Sequence, residues 1–252
     1  MNPNSYLTEM FLKEGAPILF IDFDGTISKR DVIDGILEEF ADEYWLETEE
    51  KWIAGEIGSR ECLQKQFALV RAAPEQLNEF LDTLELDEGF LPLVDFCFES
   101  DIKIHIVSDG FDYYIRRMLE KTIPNTQRLN EINVWANILT PIGRDCWQTE
   151  FPYLPEVCAD GCATCKPQVM EMNNLSAAPS IFVGDGLSDR FAARAANVVF
   201  AKGKLKDVCV QNRIPLTEYA NLRQVAERLD QAYETYALTL SGKQTNSWIQ
   251  SA

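Results

Sequence analysis

Histidine is almost absent: His105 is the only one in 252 residues. It lies inside the apolar run Ile104-His-Ile-Val107, where a core role is expected, so a histidine general base is not. Basic side chains are scarce as well. Lys and Arg number 23 against 40 Asp and Glu, a formal charge of −17. Such a surface repels nucleic acid, and an anionic substrate would need a local positive site made by a metal or a few placed Lys and Arg side chains. Most of the excess acid is expected to serve solubility. No apolar run approaches the ~20 residues of a membrane helix. The N-terminus lacks a basic stretch followed by an apolar run and a small-residue cleavage site, so no membrane partner and a cytoplasmic location are expected. There is no internal repeat or low-complexity tract. What remains is 46% hydrophobic and 25% charged, the mix of a globular protein, at a length suiting one core plus a small inserted domain.

Ile18-Leu-Phe-Ile-Asp22 is a short apolar run closed by acid, which predicts a strand buried on both faces. Ile104–Val107, Ile181–Val183 and Val198–Phe200 predict three more. Helical patterns separate them at Phe111–Glu120, Pro167–Asn173, Ser188–Ala195 and Leu222–Tyr236. Strands alternating with helices predict an α/β fold with a doubly wound parallel sheet, whose ligand sits beyond the carboxyl ends of the strands. Residues 31–86 differ, with helical spacing throughout: Ile33, Ile36, Leu37 and Phe40, then Leu63, Phe67 and Val70, then Leu77, Phe80 and Leu81. The predicted organisation is a core of residues 1–30 and 87–240, a helical insertion at 31–86, and a frayed tail at 241–252, polar apart from Trp248 and Ile249.

The acids sit at the strand ends. The first run ends in Asp22-Phe-Asp24-Gly-Thr26 and the third in Gly184-Asp185-Gly-Leu-Ser-Asp189. Four carboxylates at one sheet edge repel unless a cation neutralises them, and hard oxygen ligands suit Mg²⁺. The second run ends in Val107-Ser108-Asp109-Gly110 before a helix, where a hydroxyl can donate to a phosphate oxygen. Lys166 stands before another helix, placed to balance the charge of a transferring group. Four fixed positions, each about one residue in seventeen, recur by chance in a chain this long about 0.3% of the time. The first segment is therefore already selective.

In this order the segments resemble the four motifs of the haloacid dehalogenase phosphatases, over roughly Ile18 to Phe200. The resemblance implies that Asp22 attacks phosphorus to form an aspartyl-phosphate and that Asp24 is the acid and base. It implies Thr26, Ser108, Asp109 and Lys166 around the phosphoryl group. Mg²⁺ would be held by Asp22, the carbonyl of Asp24 and Asp185, with Asp189 in support. Placed between the first two motifs, the insertion resembles the cap of the phosphoserine phosphatases. Those enzymes bind the serine amine with a cap Glu and its carboxylate with an Arg, where this chain has Asp31 and Gln66. A cysteine-rich approach to the lysine, Cys158-Ala-Asp-Gly-Cys162-Ala-Thr-Cys165-Lys166, resembles the methionine-salvage phosphatases of hydroxyketo-methylthiopentenyl phosphate. The expected partner is thus a small phosphorylated metabolite, the chain being a monomer or homodimer. A phospho-accepting signalling module is the alternative from another class, although it would need neither Asp24 nor a cap.

The spacing of Cys158, Cys162 and Cys165, with Cys146 as a fourth, leaves three readings: structural Zn²⁺, plain thiols, or a disulfide. Trp45 and Trp52 are expected in the core of the insertion, or one of them beside the substrate. Lys29 and Arg30 are either solvated or steer anions.

Overall fold

A four-residue run with no polar side chain can bury both of its faces only inside a sheet. The computed structural model, which describes residues 3–155, 158 and 160–249, places Ile18–Ile21 there as the central strand β1. Leu19 and Ile21 enter one core cluster and Ile18 and Phe20 the other, so the period-two alternation splits the strand between two helical layers. The other strands are β2 (Lys103–Phe111), β3 (Ile132–Ile142), β4 (Cys146–Glu150), β5 (Ser180–Gly184), β6 (Val198–Ala201) and β7 (Thr217–Glu218). Their order is β4-β3-β2-β1-β5-β6-β7, parallel throughout except for the antiparallel β3–β4 pair. This is the predicted doubly wound sheet, extended by strands β3, β4 and β7. Ile21 is level with Ile106 on β2 and Val183 on β5. Three strand ends therefore open on one edge.

The helices are α1 (Pro3–Glu14), α2 (Val32–Phe40), α3 (Trp45–Ile53), α4 (Ser59–Phe67), α5 (Pro74–Thr83), α6 (Phe90–Glu99), α7 (Asp112–Thr122), α8 (Thr126–Asn130), α9 (Lys166–Met172), α10 (Arg190–Ala195), α11 (Gly203–Gln211) and α12 (Leu222–Ile249). Helices α2 to α5 fill the segment read as an insertion. It hangs on a two-strand stem: Ser28 bridges Leu86, Lys29 N–H donates to the Glu85 carbonyl (3.0 Å), and Asp87 N–H donates to that of Ile27 (2.7 Å). Helix α1, which the sequence patterns do not predict, buries Phe11 against Tyr233 and Tyr236 of α12, with ring centroids 5.7 and 5.9 Å away. Helix α12 continues to Ile249, so the tail expected from residue 241 is helical over most of its length. A single Gly242 does not stop a helix already propagating over five turns.

Asp87 ties two helix starts together, its Oδ1 accepting from Gly89 N–H (2.8 Å) and Leu222 N–H (3.2 Å). The chains meet so closely that a β-carbon on Gly89 would lie 1.8 Å from the main-chain nitrogen of Arg223. Backbone cannot yield as a side chain can. Gly89→Ala is expected to lose roughly 2–3 kcal/mol and to lower the thermal midpoint by roughly 5–10 °C, read by calorimetry. An unchanged midpoint would show that the two chains do not meet there.

Candidate active site

Asp22 follows β1 and Asp185 follows β5. A carboxylate oxygen from each, with one from Asp189, lies within 4.8 Å of the other two. Lys166, at the start of α9, reaches between them, its Nζ 2.6 Å from Asp22 Oδ1 and 2.5 Å from Asp189 Oδ1. The lysine is only 2% exposed. Burial works against its charge, but Asp189, Asp22 and Asp109 outweigh burial and hold the ammonium above its ordinary pKa. Asp22 is nevertheless driven well above the usual carboxylate range, first by burial and then by the charge of Asp189. One ammonium thus leaves negative charge unbalanced among buried oxygen donors, and that donor set fits a small hard divalent cation.

The supporting residues are specific. Asp189 is fully buried; beyond its bond to Lys166, its Oδ2 accepts from Asp185 N–H and Gly186 N–H, both at 3.0 Å. It holds the turn and the lysine. Thr26 is fully buried and donates its hydroxyl to Asp185 Oδ1 at 2.9 Å. It therefore supports an acid rather than reaching a phosphate. Gly25 has φ +70°, and a β-carbon on it would lie 2.5 Å from Asp185 Oδ2, so both its conformation and its size are required.

Asp24 Oδ2 accepts from Tyr114 Oη (2.7 Å) and Ser108 Oγ (3.2 Å), and its Oδ1 from Val32 N–H (3.2 Å). Burial raises Asp24 to about 6 against the pull of these bonds, which leaves both of its protonation states accessible near neutrality. Ser108 also accepts from Gly110 N–H (2.9 Å). These residues lie where the β2–β3 register shifts between Val107 and Phe111, so they leave the ladder and turn toward the acids. The Asp109 carboxylate accepts from Thr164 N–H (3.0 Å) and the Ser59 hydroxyl. An ionised carboxylate has no donor, so only the main-chain N–H of Asp109 can hold a phosphoryl oxygen. Asp22, Asp24, Ser108, Asp109 and Asp185 border one cavity of about 290 Å³, while Thr26, Lys166 and Asp189 lie outside its lining. Helices α3 and α4 close its other side with Glu49, Trp52, Leu63 and Gln66.

Tyr114 is the catalytic-side residue that the motifs do not reveal. Its only signal in the sequence is a phenol on the buried face of the helix that follows Ser108. Thr164 and Asn137 are also new: the threonine hydroxyl donates to the Ser108 carbonyl (2.8 Å) and the Asn137 amide to that of Asp109 (2.7 Å).

Of the three readings of the cysteines, structural Zn²⁺ is not supported. Among the described residues, Asp22, Asp185 and Asp189 are the only group of three or more His, Cys, Asp or Glu whose ligand atoms lie close enough for one ion. Cys146, Cys158, Cys162 and Cys165 form no such group. Cys146 is on edge strand β4 with its thiol toward Asp145 (3.7 Å). Cys162 N–H donates to the Cys158 sulfur at 3.4 Å. Burial opposes ionisation of Cys158, but this bond, the Cys162 thiol and the N–H groups of Asp160 and Gly161 bring it below the ordinary thiol value. Cys162 is pushed up to about 12, first by burial and then by its neighbour Cys158. Limiting iodoacetamide should therefore label Cys158 before Cys162, as peptide mass spectrometry would show.

His105 is buried as expected; its Nδ1 accepts from Trp135 Nε1 (3.1 Å) while its Nε2 has no partner. Trp45 is core, and Trp52 lines the cavity. Lys29 pairs with Glu85 and Glu88, and Arg30 with Glu38, all on the surface.

Together the fold and the site define an enzyme class, a hydrolase with a carboxylate-lined centre at the strand ends. The chain belongs to the haloacid dehalogenase-like hydrolase family, which it matches over residues 19–194. Among curated proteins it is 28% identical over 219 residues to the 2-hydroxy-3-keto-5-methylthiopentenyl-1-phosphate phosphatase of Bacillus mycoides (strain KBAB4), covering 86% of this chain and 97% of that one. The protein of the same name from Bacillus pumilus (strain SAFR-032) is also 28% identical, over 86% and 93%. Among solved structures, a substrate-bound phosphoserine phosphatase complex superposes with a TM-score of 0.65 at 20% identity, over 84% of this chain and 97% of that one. A phospho-aspartyl intermediate analogue of phosphoserine phosphatase gives 0.64 at 19%, over 84% and 98%. These structures share the fold. Among the described residues no helix is long and apolar enough to cross a membrane.

Tyr114 stabilises the ionised form of Asp24. Tyr114→Phe removes that bond, so the Asp24 pKa rises and the acid limb of the kcat–pH profile moves to higher pH. Loss of one such bond is expected to lower kcat by roughly tenfold near neutrality. An unshifted limb would separate Tyr114 from the proton transfer.

Proposed function

We propose that this hydrolase is a Mg²⁺-dependent phosphatase of small phosphate monoesters that works through an aspartyl-phosphate on Asp22. The observation that carries this reading is the placement of Asp22 at the end of the central strand, ion-paired to Lys166, beside an Asp24 poised at about 6. Hydrolysis of such esters is among the slowest uncatalysed reactions, so the site must remove roughly 20 kcal/mol or more from the barrier.

The Asp22 carboxylate attacks phosphorus as the ester P–O bond breaks, and Asp24 as the acid gives its proton to the departing alkoxide. Asp24, now ionised, takes a proton from water. The resulting hydroxide attacks the aspartyl-phosphate, the bond to Asp22 breaks, and inorganic phosphate leaves with Asp24 protonated again. Ser108, the Asp109 N–H and Lys166 hold the phosphoryl oxygens. Asp22, the Asp24 carbonyl and Asp185 would hold Mg²⁺, with Asp189 fixing the turn behind them. When bound, the ion neutralises charge on the phosphoryl group and on Asp22.

Helices α2 to α5 act as a cap over the site, and the stem at Ser28–Leu86 is where such a cap would pivot. On the substrate, the curated relatives' name and the lining of the cavity support one reading. Ile33, Trp52 and Leu63 offer apolar surface, and Gln66, which carries no charge, lines the same wall. Hydroxyketo-methylthiopentenyl phosphate, which has no carboxylate, suits that wall better than phosphoserine does.

Phosphate release from a panel of small phosphoesters tests the activity. EDTA should stop it, Mg²⁺ should restore it, and Ca²⁺ should support it poorly because its longer bonds loosen an octahedral site. Asp22→Asn should fall to background while the thermal midpoint holds, with mass spectrometry excluding reversion to Asp. Full activity in chelator would rule out the metal, and substantial turnover by the Asn variant would rule out the nucleophile.

A further inference from the structure

We infer that Glu49, held in place by Gln66, sets substrate choice: it admits leaving groups that bring hydrogen-bond donors and rejects those that carry a carboxylate. This rests on the phosphatase reading and names the substrate class of the same cavity.

Gln66 is only 1% exposed, and its Nε2 donates to Glu49 Oε2 at 3.0 Å. The amide orientation is forced, because turned the other way it would set its oxygen against a carboxylate. The Cys62 thiol donates to the same Glu49 oxygen at 3.8 Å. Gln66 keeps one further amide N–H, and the pair also has two acceptors to offer, Glu49 Oε1 and Gln66 Oε1. Asp34 lines the same cavity, and the charge of Glu49 reaches it: Asp34 is raised first by burial and then by Glu49. Lys204 is the one ammonium among the lining residues, and its charge acts on Asp34. The leaving-group end of the cavity is thus rich in acceptors and negative in sum. A hydroxyl or amine finds partners there, whereas a carboxylate meets like charge out of bulk water, and selection comes from that repulsion as much as from attraction.

The same contact makes Gln66→Arg a poor way to install carboxylate binding. A guanidinium at 66 would form an ion pair with Glu49 and be spent there. The two positions should therefore act together.

Glycerol 1-phosphate and 3-phosphoglycerate differ by one CH₂OH-to-carboxylate change. The readout is the kcat/KM of the second divided by that of the first, with Mg²⁺ present and p-nitrophenyl phosphate as a reference ester lacking both features. The wild-type ratio should be below about 0.1, since one unfavourable charge contact of about 1.4 kcal/mol gives tenfold. E49Q, nearly isosteric, should raise the ratio by roughly tenfold. Q66R alone should move it by less than about threefold, and E49Q/Q66R should exceed E49Q by at least about another tenfold. A wild-type ratio near one overturns the inference without any variant. A Q66R enzyme matching the double variant removes Glu49 from the decision, and unchanged ratios in variants that still cleave p-nitrophenyl phosphate remove the pair. A wild-type protein that cleaves none of the three esters defeats the phosphatase reading itself.

Discussion

Lys166 is buried, and burial alone would favour losing its proton. The ammonium persists because Asp22 and Asp189 close on it from two sides and Asp109 adds its charge. The converse holds for the acids. Asp22, Asp24, Asp185 and Asp189 could not occupy one strand edge without that cation, and they still strain against one another with it. Much of the surrounding architecture can be understood as what fixes this mutual dependence in space. The sheet register puts Ile21, Ile106 and Val183 level, and the turn after β5 is locked by Asp189. Lys166 is the member whose loss would leave several buried acids uncompensated, whereas without Asp22 it keeps Asp189, so the constraint acts on folding through the lysine.

The lysine is only as well placed as the segment carrying it. That segment is sewn to the end of β2 through Thr164, which binds both the Ser108 carbonyl and the Asp109 carboxylate, and through the Thr164–Asn137 contact at 3.3 Å. It is joined to the insertion as well: Arg60 N–H donates to the Gly161 carbonyl (3.1 Å), and Ser59 reaches Asp109. Gly58 and Gly161 pack backbone to backbone; a β-carbon on Gly58 would lie 2.4 Å from the Gly161 oxygen. Close main-chain contact with the start of α4 thus holds the described part of the cysteine segment.

What could be seen in the sequence follows from how locally each feature is determined. The runs at Ile18, Ile104, Ile181 and Val198 are buried on both faces, so composition alone marks them as strands. Strand β3 mixes buried and half-exposed positions, and its partner β4 is an edge strand; neither shows the unbroken apolar run of a central strand. Helix α1 has weak amphipathic character and becomes legible only once α12 supplies Tyr233 and Tyr236 to cover Phe11. The acids were visible because fixed short spacings at strand ends carry information. Tyr114 and Glu49 were not, since a phenol in a helix and one acid within Glu47-Thr-Glu49-Glu50 look like ordinary residues until the fold aims them. The cysteines mark the opposite case. Ligand-like spacing is a one-dimensional property, and convergence of four sulfurs is a three-dimensional one.

The division of labour between core and insertion has a physical basis. In the proposed mechanism the groups that handle the phosphoryl transfer must hold position to about 1 Å, because misplacement on that scale can lower rates by about a hundredfold. They sit on strand ends and helix starts tied by buried hydrogen bonds. Groups facing the leaving alcohol need only favour one chemistry over another, and these come from α2, α3 and α4 on a stem of few main-chain bonds. Beyond the stem the insertion touches the acids themselves, with Val32 N–H donating to Asp24 Oδ1 at 3.2 Å. The contacts that close it, Ser59 to Asp109 and Arg60 to Gly161, end on the very segments that carry Ser108 and Lys166. The insertion and the strand ends that carry the acids are therefore tied together by hydrogen bonds, so a change of packing in the one is felt at the other.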